Sequence, residues 1–277
     1  MPFTPSHAVV ALPFVRTPLL PAAVAVGAMT PDLPLFLRAT PISYQTTHTN
    51  LVLSTVLAGV LLALWYLLLR PAVRELAPDG LARRLPPEWD ATGARVWQQV
   101  QAPRAGARGA VWRRPAVVAL TVLVSLALGV VTHVVWDAFT HEGRWGVRLV
   151  PALGERWGPL AGYTWMQHGS SVAGLAVLAV FAARRLSRRA PAASLDRVLP
   201  AAVRRAWWLS LPVILVAAWV LGLALIGPIT AERTPQQLAY RVLPPAAAVW
   251  GALTIALCVV VLIARGRRFP RSGEASR

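Results

Sequence analysis

Five apolar runs, each long enough for a membrane span, constrain the fold of this chain more than any other feature of its sequence. They cover residues 50–69, 115–136, 163–183, 207–227 and 244–264. An α-helix needs about 20 consecutive apolar residues to cross a bilayer. Hydrophobic residues make up 56% of the chain and charged residues only 14%, which is unlike a soluble domain. We therefore predict an all-α polytopic membrane protein, a single membrane-embedded helix bundle over residues 1–277 with about five full spans.

The N-terminal segment is also apolar, but residues 8–29 are interrupted by Pro13, Pro18 and Pro21. A proline inside a helix kinks or breaks it. A broken or re-entrant helical hairpin therefore fits this segment better than one straight crossing, provided that protein covers it. The two alternatives differ for His7, because a single span would place it about 30 Å from the polar segment that follows. No cleavable signal peptide is expected, since a basic n-region is missing.

Arginine is distributed unevenly between the segments that connect the apolar runs. All 28 basic residues are arginine, and the formal net charge is +17. Most of them fall in segments 70–114 and 184–205 and in the tail 265–277, which lie on one side of the membrane if the five spans are right. Cytoplasmic loops of membrane proteins are rich in basic residues. We therefore place these segments, with a short helix predicted near residues 88–101, in the cytoplasm of a bacterial cell. The charge then reflects topology, and no nucleic acid binding is expected.

A polar stretch, THVVWDAFTH, closes the second apolar run at residues 132–141. His133 and Asp137 are four residues apart and therefore share one face of a helix. An imidazole and a carboxylate in this spacing can bind one divalent cation. A hydrogen-bonded pair at a hydrated helix end is the alternative interpretation. His133 and His141 would be about 12 Å apart along an unbroken helix, so a ligand role for His141 requires the helix to end near Phe139.

The same span assignment places most of the histidines on the non-cytoplasmic side of the membrane, together with Asp32. A hairpin at the N terminus would add His7 to them. The alternative interpretation is that the histidines are interfacial anchors and that Asp32 is a helix N-cap. We predict instead that these side chains converge on one metal site. The predicted ligands are His7, Asp32, His48, His133, Asp137, His141 and His168.

Four segments carry a resemblance to known proteins: MPFTPSH at 1–7, GAMTPD at 27–32, TTHTN at 46–50 and THVVWDAFTHEG at 132–143. Together they resemble an uncharacterised bacterial family of polytopic membrane proteins over nearly the whole chain. More distantly, the chain is similar to bacterial inner-membrane proteins described as metal-dependent hydrolases. Those carry an N-terminal His, a PDxD segment, a THS-like segment and an HxxxD helix. Here Leu33 and Pro34 follow Asp32, so the second Asp of that pattern is missing.

The order of the possible ligands also resembles that of zinc-dependent phospholipases C and related single-strand nucleases. In those enzymes a Glu ligand follows the last histidine by four residues, whereas Val172 occupies that position here. The resemblance therefore implies a two-metal site, or one with an incomplete third metal, rather than a full three-zinc cluster. We expect one or two divalent ions, zinc first, with Mn²⁺ or Fe as alternatives. Imidazole and carboxylate ligands suit Zn²⁺, and such a site supplies a water whose pKa falls toward neutrality as the nucleophile. The predicted catalytic residues are Asp32, Asp137 and His141, the last as a ligand or general acid.

The sequence thus predicts a metal-dependent hydrolase that opens at the outer face of the bacterial inner membrane. Its predicted partners are the lipid bilayer and a lipid or lipid-linked phosphoester substrate. The competing hypothesis is a non-enzymatic membrane protein that binds or passes a metal ion, or whose histidines only brace the fold. A transporter usually has ionisable residues deep in several spans. Runs 207–227 and 244–264 are almost wholly apolar, which argues against a central ion path.

Overall fold

Helices dominate the secondary structure of the computed structural model, which describes residues 3–38, 40–92, 94–102 and 115–268. In this part of the chain the α-helices are α1 (Pro21–Met29), α2 (Leu33–Phe36), α3 (Tyr44–Thr49), α4 (Leu51–Leu64), α5 (Arg70–Leu76), α6 (Asp79–Ala82), α7 (Ala94–Gln101), α8 (Pro115–Thr140), α9 (Trp145–Leu149), α10 (Gly162–Ser187), α11 (Ala201–Ile226) and α12 (Pro235–Arg268). The 3₁₀-helices cover Thr4–Arg16, Thr30–Asp32, Pro87–Asp90 and Pro151–Gly154, and a π-helical stretch covers Trp65–Leu69. Strands β1 (Arg156–Trp157) and β2 (Leu160–Ala161) form an antiparallel pair with Arg156 opposite Ala161.

Five helices in the described part of the chain are long and apolar enough to cross a membrane. They are Leu51–Leu76, Pro115–Thr140, Gly162–Ser187, Ala201–Ile226 and Pro235–Arg268. Each contains one of the five apolar runs or most of it. The predicted all-α architecture with five membrane spans is therefore confirmed.

The helix ends differ from the predicted ones because the helices continue beyond the apolar runs. The first span extends past residue 69, through Trp65–Leu69 and α5, to Leu76. Pro71 is the second residue of α5, and a π-helical stretch just before it accommodates a residue that has no N–H to donate. The last span begins at Pro235 rather than at residue 244, so that Pro244 and Pro245 lie inside the helix. The single helix predicted near residues 88–101 is instead two elements, Pro87–Asp90 and α7.

The N-terminal segment is a broken helical hairpin, as predicted. A 3₁₀-helix covers Thr4–Arg16 with Pro13 inside it, and α1 starts afresh at Pro21. Pro21 suits the start of α1, because its fixed φ is compatible with the first turn of a helix. Pro13 has no N–H to donate, which prevents a regular α-helix from continuing through the first arm. The turn between the two arms is anchored to α8, since the backbone N–H of Leu20 donates to Ser125 Oγ at 3.0 Å.

Two glycines allow α1 and α8 to approach closely. A Cβ at Gly27 would overlap the carbonyl group of Leu126, and a Cβ at Gly129 would overlap the carbonyl oxygen of Val24. Small residues at a helix crossing let the two backbones meet. This crossing places the C-terminal end of α1, and the Thr30–Asp32 turn that follows it, against the part of α8 that carries His133.

The chain divides into two compact units. The first comprises the described residues of Met1–Pro34, Pro41–Leu64 and Gly93–Arg189. In it the N-terminal 3₁₀-helix packs on α10, and α1 packs on α4 and α8. Its buried core includes Val24, Ala58, Val118 and Val130. All the residues of the site described below belong to this unit.

The second unit comprises the described residues of Leu35–Thr40, Trp65–Thr92 and Ala190–Arg277. A buried carboxylate, Glu75, joins three of its elements. It accepts hydrogen bonds at 3.0 Å from the backbone N–H groups of Val198 and Leu199 and lies 3.5 Å from the guanidinium of Arg265. Because a buried charge is costly unless it is paired and hydrogen-bonded, this network holds α5, the segment before α11 and α12 together. The prediction of a single domain over residues 1–277 stays a prediction.

Candidate metal centre

Four of the predicted ligands come together in the first unit. Asp32 ends the 3₁₀ turn after α1, His48 lies in α3, and His133 and Asp137 lie on α8. Their ligand atoms all fall within 4.8 Å of one another. All four side chains are buried, with residue exposures between 1% for His133 and 8% for His48. A group of two imidazoles and two carboxylates in this arrangement could hold a metal ion.

Three of these ligand atoms have nearly equal spacings. His133 Nε2 lies 3.3 Å from His48 Nε2 and 3.4 Å from Asp137 Oδ2, and His48 Nε2 also lies 3.4 Å from Asp137 Oδ2. Atoms bound tetrahedrally to Zn²⁺ at about 2.0–2.1 Å are about 3.3–3.4 Å apart. The fourth atom, Asp32 Oδ1, lies 3.7 Å from His133 Nε2. The spacing of the three atoms therefore fits a tetrahedral cation without rearrangement.

Backbone carbonyl groups fix the tautomers of both histidines. His133 Nδ1 lies 2.7 Å from the carbonyl oxygen of Ala28, and His48 Nδ1 lies 2.8 Å from that of Tyr44. A carbonyl oxygen only accepts, so each Nδ1 carries the proton and donates it. In a neutral imidazole this leaves a lone pair on Nε2. Two lone pairs that face each other at 3.3 Å repel unless a cation or a proton lies between them, so a bound cation is one arrangement that this geometry supports.

Further polar side chains hold the carboxylates in place. Thr4 Oγ1 donates to Asp32 Oδ2 at 2.7 Å, and the Tyr44 hydroxyl donates to Asp137 Oδ2 at 3.0 Å. Asp32 Oδ1 and Asp137 Oδ1 are buried and have no hydrogen-bond partner among the described residues. Buried carboxylate oxygens are rarely left without a partner. These two oxygens therefore remain available to a cation or to a water that it binds.

Burial controls the protonation of the groups that lie outside the spans. It raises the pKa of Asp32, an effect that the neighbouring His133 partly opposes. It also lowers the pKa of His7 to about 3, and the nearby His133 adds to that shift. Burial raises the pKa of the Tyr44 hydroxyl as well, so this group stays a hydrogen-bond donor. At neutral pH His7 is therefore uncharged, and its imidazole can act as a ligand.

His7 and His141 lie beside the four-residue group. The His7 ring lies 4.1 Å from the His133 ring between centroids, and its buried Nε2 is 3.8 Å from Asp137 Oδ1. His7 Nε2 has no hydrogen-bond partner among the described residues. His141 Nδ1 lies 3.6 Å from Asp137 Oδ2 and 3.1 Å from the Asp137 carbonyl oxygen. His141 follows Asp137 by four residues and lies just beyond the end of α8 at Thr140.

The structure does not bring His168 to this group. Its side chain is exposed on α10, whereas the preceding residue, Gln167, is buried. Consecutive helical residues point about 100° apart, so only one of the two can face the site. The side-chain amide nitrogen of Gln167 lies 3.4 Å from His141 Nε2. Gln167, not His168, therefore faces His141.

Sequence reasoning also missed Tyr44 and Thr4. Tyr44 precedes His48 by four residues and therefore shares its helical face, so the spacing could have revealed it. Thr4 precedes His7 by three residues in the MPFTPSH segment, and that proximity gave a weaker signal. Gln167 had no signal of its own, because its role depends on the rotation of α10 about its axis.

Fold and site together define a polytopic membrane protein with a buried histidine–aspartate group that could hold a metal ion. Residues 1–264 match the family described as Domain of unknown function (DUF4184). The chain therefore belongs to this family, which agrees with the predicted uncharacterised family. No curated protein and no solved structure matches the chain. The resemblance to named hydrolases thus has no support from a named relative.

Proposed function

We propose that this protein is a membrane-embedded, metal-dependent hydrolase. The observation that carries the proposal is the triangle of His48 Nε2, His133 Nε2 and Asp137 Oδ2, with sides of 3.3–3.4 Å. Asp32 completes the group from the 3₁₀ turn that follows α1. Imidazole and carboxylate ligands in a tetrahedral arrangement favour Zn²⁺. The orphaned atoms His7 Nε2 and Asp137 Oδ1, 3.8 Å apart, offer a second position, so the site would take one or two ions.

The residues around the ligands fit a hydrolytic reaction. A bound divalent ion would supply a water acidic enough to lose its proton near neutral pH. Asp32, held through Oδ2 by Thr4, keeps its other oxygen for orienting that water. His141 is the group that exchanges a proton with the leaving group, because Gln167 orients its Nε2 and burial lowers its pKa. It is therefore neutral at pH 7 and can accept a proton and return it.

The surroundings of His7 support a substrate with an aliphatic part. An apolar cavity of about 520 Å³ lies between the N-terminal 3₁₀-helix and helices α8 and α10. His7 and Ser6 form part of its wall, and Val10, Val135 and Trp136 form much of the rest. Ligand pockets of this size are mostly apolar with a few polar groups. A lipid or lipid-linked substrate could thus place its chain in the cavity and its polar group beside His7.

A positive charge near the ligands supports a phosphoester as the polar group. The guanidinium of Arg144 lies 6.0 Å from the centre of the Tyr44 ring, and Tyr44 donates to Asp137. Arginine binds phosphate oxygens in a bidentate manner.

The uneven arginine distribution supports an orientation in which this site faces outward from the bacterial inner membrane.

Metal analysis of detergent-purified protein tests the proposal directly. We expect at least one equivalent of zinc in the wild-type protein and a loss of more than nine-tenths of it in His133→Ala and Asp137→Ala. His168→Ala is the matched control, because it removes an exposed histidine of the same unit, and its zinc content should not change. A wild-type protein without stoichiometric metal would overturn the proposal.

A second measurement separates an enzyme from a protein that only binds or passes metal. Hydrolysis of bis-p-nitrophenyl phosphate should appear on addition of Zn²⁺ to the apo-protein. His141→Ala should still hold zinc and keep much of this activity, because p-nitrophenolate leaves without a proton, but it should lose hydrolysis of a phospholipid, whose alkoxide leaving group needs one. Zinc bound without hydrolysis of this ester or of a phospholipid would favour the non-enzymatic alternative.

A further inference from the structure

A second cavity in the first unit lies away from the metal centre. It has a volume of about 830 Å³ and lies between the C-terminal parts of the Thr4–Arg16 helix and α10. Its floor is apolar and includes Leu12, Val180 and Phe181. Its rim is formed by five arginines, Arg16, Arg184, Arg185, Arg188 and Arg189. We call this cavity the arginine groove.

The packing of the two helices explains why these arginines converge. The two helices run in the same direction, since the Phe3 N–H donates to Ser171 Oγ at 2.9 Å and the Ser6 carbonyl lies against Gly174. Ten residues of 3₁₀-helix rise about 20 Å, the same distance as about 13 residues of α-helix. Counted from Ser6 and Gly174, Arg16 therefore reaches the level of the last turn of α10. That turn and the residues after it carry the other four arginines.

The charge of the arginine groove is of one sign. No acidic residue is among the described side chains that line it. Guanidinium groups that surround an apolar floor repel one another unless an anion lies between them. Because α10 is a membrane span, its arginine-rich end lies at an interface, where the available anions with an apolar part are lipids.

We infer that the arginine groove binds an anionic phospholipid. Its phosphate would be held by Arg16 together with the arginines of α10, since guanidinium groups bind phosphate oxygens in pairs. One acyl chain would lie on Leu12, Val180 and Phe181. Basic pockets between membrane helices bind acidic lipid headgroups in this way. None of the residues that line the groove belongs to the metal centre, and Val177 also lines the 520 Å³ cavity beside His7. The inference does not depend on the proposed hydrolase activity.

Native mass spectrometry of the full chain in detergent tests this inference. Phosphatidylglycerol and phosphatidylcholine with the same acyl chains are titrated separately, and inorganic phosphate is added as a competitor. We expect one phosphatidylglycerol to bind at a concentration at least about tenfold lower than phosphatidylcholine, since each arginine near the lipid surface contributes about fivefold. Millimolar inorganic phosphate should not displace it, because free phosphate cannot use the apolar floor.

Two kinds of variant identify the binding site. Replacing Arg16, Arg184 and Arg188 by Gln together should remove most of the preference for phosphatidylglycerol, because only Arg185 and Arg189 of the groove then remain. The matched control removes the same charge outside the groove, at Arg95, Arg205 and Arg267, and should change binding less than about twofold. Val180→Trp fills the apolar floor and should weaken lipid binding while all five arginines remain.

Three results would overturn the inference: equal binding of the two lipids by the wild-type protein, an equal effect of the two triple variants, or displacement of the lipid by inorganic phosphate. Circular dichroism and size-exclusion chromatography of each variant establish that it is folded. If the Arg16/Arg184/Arg188 variant does not fold, Val180→Trp decides by itself, and unchanged lipid binding in that variant also overturns the inference.

Discussion

At the scale of single residues, the protonation of Asp32 affects the stability of the folded protein. Burial raises the pKa of this carboxyl group in the folded protein above its value in the unfolded chain. The shift therefore favours folding at low pH, and this contribution is lost as the pH rises through the folded pKa. In the metal-free protein at pH 7, Asp32→Asn should accordingly unfold at a higher temperature than the wild type.

This difference should shrink as the pH is lowered, because the wild-type carboxyl group then becomes protonated. Thermal unfolding in the presence of a chelator, compared at several pH values, measures it. Zinc should reverse the order, since the variant lacks the carboxylate charge that faces the ion. Equal melting temperatures of the two metal-free proteins at pH 7 would contradict the assignment of Asp32 as a buried carboxyl group with a raised pKa.

Tyr44 tests the groups that orient the ligands. Tyr44→Phe removes the hydroxyl that donates to Asp137 Oδ2 at 3.0 Å but leaves all ligands in place. Loss of such a group typically lowers metal affinity by about tenfold or more, and competition with a chromophoric chelator would measure the change. Tyr240→Phe, at an exposed residue of the second unit, should leave the affinity unchanged. An equal effect of both variants would show that Tyr44 does not orient Asp137.

The ligands differ in how far the sequence could predict them. His133 and Asp137 were predictable as a pair, because four residues on a helix define a distance. Asp32 and His48 were predictable only as residues on the same side of the membrane. Their approach to α8 depends on the crossing with α1, which no local pattern encodes. His168 illustrates the limit, since a rotation of about 100° separates it from Gln167.

At the scale of elements, the crossing of α1 and α8 should be sensitive to added volume. Gly129→Ala places a methyl group against the backbone of α1, and such overpacking typically costs about 1–3 kcal/mol. Because α1 leads into Asp32 and contributes the Ala28 carbonyl, zinc affinity should fall together with the melting temperature.

Gly251→Ala is the matched control for this prediction, since it also lies in a membrane helix and its added methyl group would meet no described atom within 4 Å. It should be neutral or stabilising by up to about 1 kcal/mol. A Gly129→Ala protein with wild-type stability and zinc affinity would contradict the tight crossing.

The elements themselves were largely predictable, because apolar length alone identifies a membrane helix. Their ends were not. Helices continue past Arg70 and begin well before Pro244, since the polar ends of a membrane helix can remain helical at the interface. The broken N-terminal hairpin was predictable from its prolines.

At the scale of the whole molecule, the arginine distribution predicts which side the site faces. A cysteine at Glu155, in the exposed segment after α9, should react with a membrane-impermeant maleimide in intact spheroplasts. A cysteine at Ser194, in the arginine-rich segment before α11, should react only after lysis. The native Cys258 is buried, so it should contribute little background. Labelling of Ser194→Cys in intact spheroplasts would contradict this prediction and indicate the opposite orientation in the membrane.

The hydrogen bonds that fix the two imidazole rings have a consequence for how the site tolerates mutation. Both acceptors are main-chain atoms, the carbonyl oxygens of Ala28 and Tyr44. Amino-acid replacement alters side chains but leaves these oxygens in the chain. Sequence drift around the site can therefore change its shape and polarity while both rings continue to present the same nitrogen, so the two candidate ligand atoms persist through such changes.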